Sequence, residues 1–284
     1  MEKPRVIDFR VVPRTKECLG SWAPDTMLPA HKKYVEMYRM HDRITPIPLD
    51  EQVDMMRQAG IVKAVINAAD IETTHGRKLP NEIIARIVND YPDVFIGFAG
   101  VDPHKGMRAV RELEDAVVNL GLRGLNVGPF FHRLYANDKR YYPLYTKACE
   151  MEIPVILHTS VNFDPATIMD YGNPCHLDEV ACHFPELTLI ASHAGWPWIL
   201  PMVAVAWRHD NVVLEISGIK PRFLHPELLQ FFDTILQDRV LFGTDYPLYE
   251  FKEGVDDFTE LPLKEKTKRK IFYHNAARIL KLAD

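Results

Sequence analysis

Residues 154–160, PVILHTS, form a short apolar run that ends on a histidine, and the pattern recurs twice downstream. Residues 187–195 read LTLIASHAG and residues 239–247 read RVLFGTDYP, so His158, His193 and Asp245 each close such a run. Apolar runs this short, rich in β-branched residues, suit strands buried on both faces of a parallel sheet. Working outward, the same reading fits 5–12 (RVIDFRVV), 62–69 (VKAVINAA), 94–101 (VFIGFAGV), 123–128 (RGLNVG) and 211–217 (NVVLEIS).

Helical patterns separate these strands. Leu49 to Ala59 carries Leu49, Val53 and Met56 on one face, with Gly60 as a stop. Ile83, Ile84, Ile87 and Val88 make a second stripe, and Met107 to Leu120 a third that ends at Gly121. A last helix over about 264–281 buries Ile271, Ala276, Ile279 and Leu280. Strand and helix alternate eight times, which predicts one (β/α)8 TIM barrel over 1–284, with right-handed crossovers. In such a barrel His158, His193 and Asp245 face the C-terminal end, where the loops after the strands build the site.

Residues 13–48, between the first strand and first helix, exceed an ordinary connection. They hold Trp22, several prolines and the stretch KKYVEMYRMHDR. The segment is either a lid over the barrel mouth or an insertion packed outside it.

Composition removes several partner classes. The net charge is −5, with no basic block, which argues against nucleic acid and a membrane surface. The start, MEKPRVIDF, lacks the apolar core of a signal peptide, and no run approaches the about 18 apolar residues of a membrane span. Cys18, Cys149, Cys175 and Cys182 form no CxxC pair, which suits reduced thiols in the cytoplasm. Cys149 reads as a small buried hydrophobe.

With their flanks, GLRGLNVGP, PVILHTS, FPELTLIASHAGWPW, LFGTDYP and YHNAARIL resemble the amidohydrolase-related (amidohydrolase 2) family. Within it the likeness is to the branch of aminocarboxymuconate-semialdehyde decarboxylase and its metal-dependent hydrolase relatives, over nearly the whole length. The resemblance implies His158 as a metal ligand, His193 as general acid or base, and Asp245 as ligand or base. It also implies a D-x-H-x-H motif at the end of strand one. Here Asp8 matches the leading aspartate, while Arg10 and Val12 stand at the two histidine positions, and Asn126 where some relatives place a lysine.

These replacements bear on the cofactor. The resemblance implies a divalent metal, zinc or manganese, on His158 and Asp245. A catalytic zinc takes three protein ligands and keeps an open position. Arg10 cannot ligate a cation, and one pair of like unit charges at about 4 Å costs about 4 kcal/mol at an effective dielectric near 20. The alternative is no cofactor, with His193, Asp245 and Arg10 as the catalytic group. Strict alternation puts Val6, Asp8, Arg10 and Val12 on one inward face, and Ile7, Phe9 and Val11 on the other. On that face Arg10 and Asp8 are also readable as a structural ion pair.

The loop PFFHRLY after strand four offers His132 and Arg133 beside Phe130 and Phe131, a set that suits a planar anion or plain loop packing. Trp196 is the candidate pocket wall after His193, and Trp198 the packing partner. His75 and His104 follow strands two and three. Glu215 reads as a partner for a nearby arginine, and Asn81 and Asn275 as loop-fixing residues. The leading expectation is hydrolysis of a small, anionic substrate, a lactone or other activated ester. The alternatives are non-oxidative decarboxylation of an aromatic or muconate-type acid, and a ligand-binding barrel without turnover. A homodimer is compatible with the sequence.

Overall fold

The last strand of the barrel meets the first through backbone hydrogen bonds in the computed structural model, which describes residues 3–283. Phe9 N–H donates to Phe242 C=O and Asp245 N–H to Arg10 C=O, each at 2.9 Å. The strands are β1 (Val6–Val11), β2 (Ile61–Asn67), β3 (Ala69–Ile71), β4 (Arg77–Leu79), β5 (Phe95–Gly100), β6 (Leu125–Val127), β7 (Val155–His158), β8 (Leu189–Ser192), β9 (Val212–Glu215) and β10 (Val240–Leu241). Eight of them form one parallel sheet in the order β1-β2-β5-β6-β7-β8-β9-β10, and helices fill the connections. This is the expected (β/α)8 barrel. Among the described residues, no helix is long and apolar enough to cross a membrane.

Two elements depart from the expected pattern. The segment after β2 turns into an antiparallel hairpin, β3–β4, closed over Gly76 at φ 65°. Its strands carry too few apolar residues to read as strands, and hydrogen bonding alone selects them. The last helix is not continuous either: Lys270–His274 widens to a π turn between helical Glu265–Arg269 and Asn275–Ile279. There the Ile271 carbonyl accepts from Phe242 N–H at 3.2 Å, tying the helix to the end of β10.

The interior of the barrel is an apolar plug. Ile7, Phe9, Val65, Ile96, Phe98, Ile156, Ile190, Val213 and Leu241 meet there, closed below by Tyr273, Ala276 and Leu280. Ile7 and Phe9 therefore point inward, while Val6 and Val11 join the outer core between strands and helices. The simple alternation assigned Val6, Ile7 and Phe9 the other way round, while it placed Val11 outward and Arg10 inward, as they are found. Between Asp8 and Val11 the register against β2 slips by one residue. That bulge lets Arg10 turn into the barrel mouth above Phe9.

Residues 13–48 lie across that mouth. Trp22, Val35 and Met40 pack on Leu248 and Tyr249 beyond β10. Arg14 fastens the segment: its backbone N–H donates to Gln52 Oε1 at 2.7 Å and its guanidinium to Thr45 C=O at 2.9 Å and Tyr246 Oη at 3.1 Å.

Candidate functional site

A cavity of about 390 Å³ opens at the C-terminal end of the strands. Arg10, Asn126, His158, His193 and Asp245 line its floor, while Trp22, His31 and Tyr34 from the 13–48 segment roof it. Arg10, Asn126 and His158 come from strands β1, β6 and β7, where side chains two apart share a face. His193 directly follows β8 and Asp245 lies four residues past β10, both with left-handed backbone, at φ 64° and 56°. Such backbone costs about 1–3 kcal/mol in a non-glycine residue. At Asp245 the turn is held by its N–H on the Arg10 carbonyl and by Leu248 N–H on its own carbonyl, at 3.0 Å.

Arg10 organises the charges. Its Nη2 donates to Ser192 Oγ at 2.7 Å, and its Nε lies 3.4 Å from Glu215 Oε2. Glu215 accepts in turn from the Ser217 N–H at 2.6 Å and hydroxyl at 2.8 Å. His193 Nδ1 lies 3.1 Å from the Ser217 carbonyl, which assigns the ring proton to Nδ1 and leaves Nε2 as an acceptor. Gly218 keeps this approach open: at φ 77°, a Cβ there would fall 2.6 Å from His193 Nδ1. The His158 ring stands 4.7 Å from His193 and 4.4 Å from Phe130.

Burial sets the protonation states. It pushes His158 down to about 3, and the Arg10 guanidinium adds to the fall. Burial, His158 and Arg10 together hold His193 well below the ordinary imidazole value. The carboxyls move the other way. Burial lifts Asp245 to about 6 against the attraction of Arg10. It lifts Glu215 to about 7 despite Arg10 and Ser217, and Asp8 to about 7 despite its hydrogen bonds to Thr244 and Arg10. The site thus holds neutral imidazoles, carboxyls that bind protons readily, and one fixed guanidinium.

A family model described as Amidohydrolase matches residues 7–282. The chain belongs to the amidohydrolase family. It is an enzyme-family barrel of the branch that includes aminocarboxymuconate-semialdehyde decarboxylase. It is 26% identical to gamma-resorcylate decarboxylase of Polaromonas sp. over 82% of this chain and 87% of that one. To 2-amino-3-carboxymuconate-6-semialdehyde decarboxylase of Dictyostelium discoideum it is 22% identical, over 71% and 65%. Among solved structures, an uncharacterised TIM-barrel protein of Bordetella bronchiseptica superimposes with a TM-score of 0.81 at 29% identity, covering 97% of this chain and 98% of the other. A dihydroxybenzoic acid decarboxylase of Polaromonas sp., crystallised with manganese and 2-nitroresorcinol, gives 0.70 at 22%, covering 99% and 97%. These named relatives are decarboxylases rather than hydrolases of esters or lactones.

The manganese in that fold neighbour makes a divalent ion the cofactor to test against this donor set. The residues of this cavity do not fit one. Among the described residues, the one group of three His, Cys or carboxylate donors within 4.8 Å of one another is Asp178, Cys182 and His209, on the outside of the barrel. In the cavity, the place of a strand-one ligand is taken by Arg10, whose charge lowers His158, His193 and Asp245 alike. Val12 is half-buried and packs with the outer core.

The structure brings Arg10, His158, His193 and Asp245 to one cavity, and leaves the expected substrate-binding residues off it. His132 is buried, with Nδ1 on Tyr141 Oη at 2.8 Å and Nε2 on the Asp70 carbonyl at 2.9 Å, so its ring secures the loop. Arg133 sits at φ 55° and is exposed, and Trp196 is 42% exposed. In their stead Phe130 and Phe131 line the cavity. His104 is engaged by the His132 carbonyl at 2.8 Å. Asn81 and Asn275 hold strand ends instead: Asn81 Oδ1 accepts from Gly100 N–H at the end of β5, and Asn275 Nδ2 donates to Val240 C=O at the start of β10. Cys18 lines the cavity, yet burial pushes its thiol up to about 11. Sequence reasoning missed Tyr34, Arg77 and Asn67 as lining residues, since no pattern around them differs from an ordinary loop or strand end.

Proposed function

We propose that this protein is a non-oxidative decarboxylase of an aromatic or muconate-type acid. The observation that carries the reading is Asp245: a half-buried carboxyl, lifted to about 6, on the floor of the cavity and next to a fixed guanidinium. An anion bound beside it raises its proton affinity further.

The chemistry needs three things, and the site's residues supply each. The reacting carboxylate enters surroundings lined by Phe130, Phe131 and Leu248, where an ionised group is costly and neutral CO₂ is not. The carbon–carbon bond breaks, and its electron pair stays on the carbon that carried the carboxylate. Asp245 gives that carbon its proton, and solvent water reprotonates Asp245 afterwards. Arg10 balances the negative charge on a neighbouring substrate oxygen, and His193 Nε2 accepts from a substrate hydroxyl.

Hydrolysis of a lactone or ester, the leading expectation from sequence, asks for a different site. It needs a base that takes a proton from water and holds it. His193 is poorly suited, because burial, His158 and Arg10 all oppose a second proton on its ring, and Asp245 would have to hold that proton against the pull of Arg10. The named decarboxylase relatives support the same preference. A ligand-binding barrel without turnover would have no need of a proton-binding carboxyl at the cavity wall.

The test is isotopic. A panel of hydroxybenzoic acids, muconic acids and their lactones and esters is incubated with the purified protein in D₂O and, separately, in H₂¹⁸O. The expected result is CO₂ release with one deuterium at the carbon that lost it. Oxygen-18 in the product without CO₂ would replace this reading by hydrolysis, and saturable binding without product would leave a binding barrel.

A further inference from the structure

The hairpin β3–β4 brings Arg77 to the wall of the same cavity. The lysines around it are neutralised. Lys78 Nζ lies 3.3 Å from Asp70 Oδ2 and also pairs with Glu112. Lys105 Nζ reaches Asp70 at 2.6 Å and Glu72 at 2.9 Å. The Arg77 guanidinium, by contrast, has neither a carboxylate nor a hydrogen-bond acceptor among the described residues. It lies close under the roof: burial pushes His31 down to about 4, and Arg77 and His75 add to that fall.

A second observation stands beside it. Asn67, at the end of β2, lines the cavity, and its Oδ1 is buried with no hydrogen-bond partner among the described residues. A buried polar atom left so is costly, and a ligand is one remedy at a cavity wall. The amide can take a hydroxyl on Oδ1 or, turned over, donate to a ligand oxygen. The cavity's other arginine differs again, since Arg10 already faces Glu215 and Asp245. Of the three cations that line the cavity among the described residues, Arg10 and Lys78 are compensated and Arg77 is not.

We infer that Arg77, with Asn67, forms a second anion subsite, and that the substrate is a dicarboxylate whose non-reacting carboxylate binds there. The inference rests on the decarboxylase reading only for the fate of the first carboxylate. Arg77 acts as a specificity residue: it distinguishes dicarboxylic from monocarboxylic acids by a charge-assisted, fork-shaped contact.

Binding, measured apart from turnover, tests it. Titration calorimetry uses benzene-1,3-dicarboxylate and benzoate on the wild type, Arg77→Gln and Arg77→Lys, with thermal unfolding as the control for folding. The wild type is expected to bind the dicarboxylate at least about tenfold more tightly than benzoate, as hydrogen bonds to charged groups suggest. Arg77→Gln removes that preference and leaves benzoate within about twofold, while Arg77→Lys keeps part of it. Equal affinity for the two acids, no binding of the dicarboxylate, or a preference that survives Arg77→Gln overturns the subsite. Should Arg77→Gln misfold, Arg77→Lys and Asn67→Ala carry the test, and an unchanged preference in both overturns the subsite. An Arg77-dependent preference without CO₂ release from any acid leaves the subsite standing and removes the decarboxylase reading. CO₂ release from dicarboxylic acids at rates that Arg77→Gln does not alter does the reverse.

Discussion

Along the same strands, two residues separate an apolar plug from a polar site. Val65 is followed on the same face by Asn67, Ile156 by His158, Ile190 by Ser192 and Val213 by Glu215. Each step rises about 6.6 Å up the strand. Below it, side chains gain by leaving water; above it, burial works against every charge and shifts the carboxyls and imidazoles in opposite directions. The lower layer can be varied in chemistry as long as volume is kept. The upper one depends on one guanidinium and the groups arranged around it.

Substitutions sharpen that contrast. Asp245→Asn in the upper layer is expected to lower decarboxylation by about 10²–10⁴-fold, the usual range for a lost general acid. Circular dichroism and melting should stay near those of the wild type. Activity within tenfold would remove Asp245 as the proton donor. In the lower layer, Phe98→Ala should cost about 3–5 kcal/mol in denaturant unfolding, with turnover per folded molecule nearly unchanged. A large loss of turnover without loss of stability would break the division between the two layers.

A third prediction concerns pH. The folded protein raises Glu215 from 4.5 to about 7, so its contribution to stability is full below pH 4.5 and is lost as pH rises towards 7. Glutamine does not titrate. The melting temperature of Glu215→Gln relative to wild type should therefore climb between pH 4.5 and 7 and level off above. A difference that falls over that window would make Glu215 an ionised partner that Arg10 holds down. The smallest expected effect is none: dialysis against a chelator should leave turnover and melting unchanged, because Arg10 stands where a strand-one ligand would. Loss of activity that manganese restores would overturn that view of the cavity.

Much of the upper layer was legible because it follows a period of two along a strand. His158, His193 and Asp245 close apolar runs, and a parallel barrel places all such ends on one rim. The lower layer was legible as apolar, though its direction was not: Ile7 and Phe9 point into the barrel and Val6 out of it. A bulge of one residue exchanges the faces of β1, and nothing in RVIDFRVV marks where it falls. His132 and Arg133 misled for a similar reason. The helical turn Pro129–His132 carries Phe130 and Phe131 to the cavity and turns the next two residues away.

The sequence by itself determined the eight-fold alternation, the barrel, the rim on which three polar residues meet, and the loss of the strand-one histidines. The first three follow from local periodicity and residue chemistry, which a chain carries wherever it folds, and the last from the resemblance to the amidohydrolase family. Only the tertiary structure decided that the inward-facing Arg10 bonds Ser192 and pairs with Glu215, that the 13–48 segment lies over the mouth, and that Arg77 reaches the cavity. Those outcomes rest on a bulge, a hairpin and contacts between residues far apart in the chain, and such contacts leave no periodic trace in the residues that make them.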